Sequence, residues 1–336
     1  MRIAIHETKG LLAALVGDSL RLFDISAEVP REIAFLNAPG GRWLTSCEPY
    51  LAVLTGKLAP AMASVQKAKM ERFSWSLAPL GATELGEIEK RGLSLTPDGA
   101  RLVTTDWESC KVVLIEATTG KRIAANGEGI PSGAAISPDG TKIIAGSADQ
   151  GSGDILFFDV SRLKGSKLPM ETLPPSKPSP GLDDAPYFSV FSPDSRLAAV
   201  SNESWGGRGL FVFDTTSKLP LWSVVLEGAG EESEDWYPFA AAFADAGRLL
   251  LLGGPGVIRV YQAQDGKFLK EIPVQGDSRG GFAVDNVRRK IWVPGPVPRS
   301  YPLPASSAPA AKAAPAPAAK AAPAAKAAPA AKAASA

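Results

Sequence analysis

Short apolar runs, broken by tight polar turns, recur along this chain. "GLSLTPDGARLVTTDW" begins at Gly92, "GAAISPDGTKIIAGS" at Gly133 and "FSVFSPDSRLAAVSN" at Phe188, with a worn copy, "AAAFADAGRLLLLGG", from Ala240. Fainter versions start at Ile3 and Phe282. Each is followed by a second apolar signal: "RLFDIS" at 21–26, "KVVLIEATTG" at 111–120, "ILFFDVS" at 155–161, "LFVFDTTS" at 210–217 and "IRVYQAQDG" at 258–266. In "SPDG", Pro138 presets φ for a turn and Gly140 permits positive φ, so the chain reverses between two strands. The run "KIIAGS" then reads as a buried strand, "LFFD" as a third, and a more polar strand such as "KRIAAN" at 121–126 as a fourth.

Four short strands recurring every 40–45 residues are the sequence mark of a β-propeller. First strands are expected near residues 2, 41, 92, 133, 187, 238 and 281, giving an all-β fold of seven four-stranded blades over 1–303. Six blades result if the weak copy at 41–77 or the last copy is misread. A two-sheet sandwich with similarly spaced turns is the competing architecture. No strand is donated between the chain ends, and the last blade is expected to lack its outer strand. The prolines of "VPGPVPRSYPLP" at 293–304 would then protect an open edge. Helical periodicity is confined to one short stretch, Glu84–Lys90.

The "SPDG…FFDV…TTG" cycle resembles the WD40 and YVTN-type propeller repeats over about 1–303. The WD dipeptide is replaced by Phe23-Asp24, Phe158-Asp159 and Phe213-Asp214, and the Gly-His pair is missing. The resemblance implies a propeller fold and a habit of binding partners, and names no ligand.

From Pro304 the composition shifts to "AAPAAK" repeats, in which Pro315, Pro317, Pro323 and Pro329 interrupt any helix. With no aromatic residue to bury, 304–336 is expected to be a disordered tether. It holds four of the 36 basic residues and no acid, so 1–303 carries 32 basic and 35 acidic side chains. That balance gives no reason to expect nucleic-acid binding. No stretch has the roughly 18 consecutive apolar residues of a membrane span, and the N-terminus lacks a signal-peptide pattern. A cytoplasmic protein is expected, with Cys47 and Cys110 reduced and buried.

Candidate chemistry is sparse. His6 is the sole histidine, read as an ordinary turn or surface residue, which leaves Ser-His-Asp, Cys-His and His-rich metal sites without their central group. No cofactor or metal is expected. Asp24, Asp159 and Asp214, and the turn residues Asp98, Asp139 and Asp194, read as hydrogen-bonding their own turns. The second-to-third and blade-to-blade connections are long and rich in Trp, Tyr and Arg, the residue types of binding hot spots. Candidate partner-binding residues are therefore Trp107, Asp183, Asp184, Glu203, Trp205, Arg208, Trp236, Tyr237 and Arg279, for a protein or peptide partner. The rival reading, suggested by lactonase and dehydrogenase propellers, is an enzyme with a carboxylate and arginine site at the channel mouth (Asp183, Asp184, Glu203, Arg208).

Overall fold

A computed structural model of the chain describes residues 2–58, 64–89, 93–127, 130–149, 152–173, 186–204, 207–225, 240–277 and 281–306. The described chain is all β, apart from one 3-10 turn at Val160–Arg162. Its strands pair antiparallel in chain order and fall into seven successive units, 2–37, 41–89, 94–126, 130–173, 186–225, 240–277 and 283–302. The first, fourth and fifth are separate four-stranded sheets. The second and third merge into one eight-stranded sheet, because Asp106 pairs with Ile88 where the two units meet. In the sixth, a single run, Leu249–Gln262, pairs Ala240–Ala244 through its first half and Phe268–Asp277 through its second. Gly256, at φ +65°, lies between the halves. The seventh has three strands, Ala283–Asp285, Lys290–Val293 and Arg299–Pro302, so its outer strand is absent among the described residues, as the repeat pattern leads one to expect.

The burial pattern explains why the inner strands do not alternate in sequence. Leu11–Val16 and Lys111–Glu116 are buried along their whole central run, since each sheet packs a neighbour on both faces. Outer strands such as Arg31–Asn37 revert to polar alternation. One apolar cluster lies between each consecutive pair of units. Leu20 and Leu22 meet Leu51 and Val53, Leu54 and Met70 meet Leu102 and Val113, and Leu114 meets Ile143 and Phe158. Phe157 then meets Phe211 and Phe213, Leu210 meets Leu250 and Leu252, and Leu251 and Val260 meet Ile291 and Val293. The last cluster joins Trp292 of the seventh unit to Leu12, Ala14, Phe23 and Ile25 of the first. Packing order is therefore cyclic, and among the described residues it closes without a shared strand.

One expectation fails within this scheme. Of the expected helical stretch Glu84–Lys90, the described part, 84–89, is not helical: Pro79–Glu89 is the outer strand of the second unit, paired with Ser64–Phe73. Gly81 and Gly86 take positive φ there, and Lys69 Nζ meets Glu84 Oε1 across the pair at 2.7 Å. A seven-residue segment gains too little from local helix formation to outweigh a ladder with an apolar core beneath it. The copy at 41–77 supplies three regular strands despite its weak motifs. No helix among the described residues is long and apolar enough to cross a membrane, and both cysteines are free, Cys47 buried and Cys110 half-buried. The tail from 307 onward lies outside the described residues.

Candidate binding face and axial cavity

Antiparallel order puts the first-to-second and third-to-fourth turns of every unit at one end, and all other connections at the opposite end. At the first end the first-to-second turns are short and internally satisfied, while the connection at 160–169 is longer and contains the 3-10 turn. Asp139 Oδ1 accepts from Ser137 Oγ (2.6 Å), Thr141 N (2.9 Å) and Thr141 Oγ1 (2.8 Å). Asp98 and Asp194 repeat the pattern with Thr96 and Ala100, and with Ser192 and Arg196. The Thr96 and Ala100 donors hold the Asp98 carboxyl below its usual range. Burial pushes Asp139 the other way, but the Ser137 and Thr141 donors outweigh it. The aspartates after phenylalanine behave alike: Asp24 accepts from Ser26 N, Asp159 from Ser161 N, and Asp214 from Thr216 N and Ser217 N.

These turns also bond to one another around the ring. Glu48 N donates to Pro97 O (2.9 Å), Tyr50 Oη to Gly99 O (2.7 Å), Arg101 Nη1 to Gly140 O (3.0 Å) and Asp139 N to Ser195 Oγ (3.1 Å). Asp245 N donates to Asn286 Oδ1 (2.7 Å), and at the seam Asn286 Nδ2 and Arg288 Nη1 donate to Glu7. The belt also corrects the reading of His6. It is not a surface turn residue: it ends the strand Arg2–His6, is 5% exposed, and packs edge-on to Trp75 at 5.0 Å. Its Nδ1 meets Thr8 Oγ1 at 3.1 Å and its buried Nε2 has no hydrogen-bond partner. Burial, then Lys9, lowers its pKa below 6.5. The apolar run around position 6 was the available signal for this.

Down the middle runs a cavity of about 280 Å³ lined by the first strands, or the residues just before them, of all seven units. Ile3, Leu93, Leu95, Phe188 and Val190 give it apolar walls, and Thr45, Ser94 and Ser189 are also among its lining residues. Arg2 is its one charged lining residue, with Cζ 3.7 Å from the centroid of the Trp43 ring. Ser94 Oγ accepts from Ile136 N (3.1 Å), whereas the Ser189 hydroxyl is buried without a hydrogen-bond partner. Sequence reading missed this set. Its signal is a lone cation at the start of a first strand whose neighbours are apolar or hydroxylic.

The opposite end carries two long unit-to-unit connections, 12 residues at 174–185 and 14 at 226–239, against five at 137–141 and 192–196. The second-to-third connections expected to be long are short, four residues at 107–110 and two at 150–151 and 205–206, because the strands run on almost to the turn. Trp107 sits half-buried in the turn after Arg101–Asp106, its N–H on Glu87 O at 3.0 Å. Glu203 and Arg208 are cross-strand partners at the tip of the hairpin formed by Leu197–Ser204 and Gly207–Asp214. Asp183, Asp184, Trp205, Trp236, Tyr237 and Arg279 lie outside the described residues. Among the described residues no cluster of three metal-ligating side chains occurs.

No family model and no curated protein matches this chain. Its fold does match solved structures. A chain of Kuenenia stuttgartiensis hydrazine synthase superposes with a TM-score of 0.57 over 76% of this chain and 73% of that one, at 16% identity. At that identity the likeness speaks for the fold alone.

Proposed function

We propose that the seven units are blades of one β-propeller of the WD40/YVTN kind, and that the protein is a non-enzymatic interaction platform. A protein or peptide binds the long-connection end, 304–336 serves as a flexible tether, and the free cysteines suit a cytoplasmic setting. The observation that carries this is the contrast between the two ends. The short-turn end uses its polar groups in the belt from Glu48 to Glu7, and so is committed to holding the ring. At the other end two unit-to-unit connections, 174–185 and 226–239, are two to three times longer than the turns at 137–141 and 192–196, carried on a rigid scaffold.

The test is affinity capture compared between the wild type and a Trp107→Ala, Trp205→Ala, Trp236→Ala variant of unchanged thermal stability. Specific loss of a partner is expected, and retention of every partner rejects the surface. The register that sets Glu203 opposite Arg208 on adjacent strands supports a second reading, a hydrolase of the lactonase kind. Turnover of sugar lactones that disappears with Asp183→Asn or Glu203→Gln would establish that reading instead.

A further inference from the structure

We propose that the cleft beside residues 160–169 binds a phosphate monoester dianion, held between Lys164 and Lys167 with Arg162 as a third cation. The site is separate from partner binding at the long-connection end and does not depend on it. It begins with a departure from the repeat. The third-to-fourth connection of the fourth unit has ten residues, 160–169, against five or six at 25–30, 74–78, 117–121, 215–219 and 263–267. Its sequence, "VSRLKGSKLP", holds three cations and no acid. The extra length is anchored on the neighbouring unit. Ala125 N donates to Ser166 O (3.0 Å), Leu168 N to Ala125 O (3.4 Å) and Asn126 Nδ2 to Leu168 O (2.8 Å). Leu168 is fully buried in the cluster between the third and fourth units. The connection is thus a fixed strap. Arg162, Lys164 and Lys167 line a cleft of about 520 Å³ against it, with no carboxylate among the described lining residues.

The charges already spoken for narrow the ligand class. Arg162 Nη1 lies 3.7 Å from Glu171 Oε1, and that carboxylate also takes Lys218 Nζ at 2.6 Å. Lys164 and Lys167 are exposed, and neither side chain makes a hydrogen bond or ion pair among the described residues. They face each other across an antiparallel bridge, which Gly165 at φ +67° closes as a tight turn. Residues opposed in this way stand about 5 Å apart at Cβ and repel when both are cations. One small anion can meet both ammonium groups and relieve that repulsion. A carboxylate balances only one of them, whereas a phosphate monoester carries about two charges and three acceptor oxygens. Lysine, a compact charge with rotatable donors, suits that group. Asn126 takes no part, since it already donates to Leu168 O and accepts from Gly127 N. Pro169 and Met170, half-buried in the lining, receive the organic part of the ester.

The probes are phenyl phosphate, benzenesulfonate, which has a similar body and a single charge, and inorganic phosphate, titrated calorimetrically into the full chain at low salt. Phenyl phosphate is expected to bind one to one with Kd of about 1 mM or tighter, and inorganic phosphate to compete with it. Benzenesulfonate binds at least about tenfold more weakly. Lys164→Gln combined with Lys167→Gln weakens phenyl phosphate by about tenfold or more, as loss of charge-assisted bonds should. The same variant keeps or raises the unliganded melting temperature, because it removes a like-charge pair. Lys267→Gln, at an exposed position in the sixth unit, controls for net charge and leaves the affinity unchanged. The lysines of 304–336 are present in every variant, so their attraction for the probes is constant. If the double variant does not fold, Lys164→Gln alone is expected to lose affinity severalfold. No saturable binding of phenyl phosphate by the folded wild type up to about 10 mM, no competition by inorganic phosphate, or equal binding of benzenesulfonate overturns the proposal. So does wild-type affinity in the Lys164 and Lys167 variant, or an equal loss in Lys267→Gln.

Discussion

Trp292 closes the ring, and its removal gives the sharpest energetic test of cyclic packing. It is fully buried and is the seventh unit's sole contribution to the buried cluster with Leu12, Ala14, Phe23 and Ile25. A buried indole removes about 200 Å² from water, or about 5 kcal/mol at roughly 25 cal/mol per Å². Its Nε1 is buried without a partner, which costs the native protein about 1–3 kcal/mol. Trp292→Ala removes both terms and leaves a cavity, so a net loss of about 3 kcal/mol is expected, at the lower end for such truncations. Trp292→Phe keeps most of the apolar body and removes the orphaned N–H, so it should fall within about 1 kcal/mol of the wild type. The assay is equilibrium urea unfolding followed by far-UV circular dichroism, which does not depend on the lost fluorophore. Limited proteolysis should also show earlier cleavage within 283–302 for the alanine variant. If Trp292→Ala costs under about 1 kcal/mol, or Trp292→Phe costs as much as Trp292→Ala, the seam is not held by this side chain.

Other consequences follow from single residues. Gly99 and Gly140 occupy the same turn position at φ +69° and +68°, but a Cβ on Gly99 would lie 2.6 Å from Tyr50 Cε1 and 2.7 Å from Cys47 Sγ, against 3.5 Å to the nearest atom at Gly140. Gly140→Ala should therefore cost about 1–2 kcal/mol of backbone strain, and Gly99→Ala about 1–3 kcal/mol more for overpacking, read by parallel denaturant melts. His6 has a folded pKa below 6.5 because burial disfavours its charged form. The unfolded chain thus takes up the proton first, and stability falls as pH drops from 6.5 towards the folded pKa. His6→Gln should flatten that part of a melting-temperature profile between pH 7 and pH 5, and an unchanged slope refutes the assignment. Burial raises the Cys47 thiol to about 11, so a thiol reagent at pH 8 should label half-buried Cys110 in the native protein and Cys47 only on unfolding. Phe35, 68% exposed on the outer strand of the first unit, should tolerate Phe35→Ser within about 0.5 kcal/mol, with reduced binding of a hydrophobic dye.

The fold was legible where turn chemistry and strand periodicity coincide. "SPDG" at 137–140 specifies a turn because Ser137, Asp139 and Gly140 each have a local task, and the observed bonds are those tasks. First strands begin within about three residues of the positions read from the pattern, including Gly41, where motif support was weak. The outer strand Pro79–Glu89 was misread because its alternation is blurred by Gly81 and Gly86, and its identity comes from pairing with Ser64–Phe73 rather than from local preference. His6 was misplaced for the same reason: its burial depends on Trp75, 69 positions away in the next unit. The axial cavity could not be read at all. It draws on residues from seven separate segments, and only ring closure brings Arg2, Trp43 and Ser189 to one space. Of the candidate partner-binding set, Trp107 falls on a described connection, and Glu203 and Arg208 fall on the paired strand ends beside 205–206, at the same end.

The central claim is that partner binding resides at the long-connection end and the belt that holds the ring at the other. Its most direct measurement is cross-linking mass spectrometry of the captured partner complex, compared among the wild type, the Trp107/Trp205/Trp236 alanine variant and an Asp139→Asn variant of the turn belt. Cross-links to lysines near the long connections are expected, lost in the tryptophan variant and kept in the belt variant. Cross-links confined to Lys142 and Lys218 at the belt end, unaffected by the tryptophan substitutions, would contradict it.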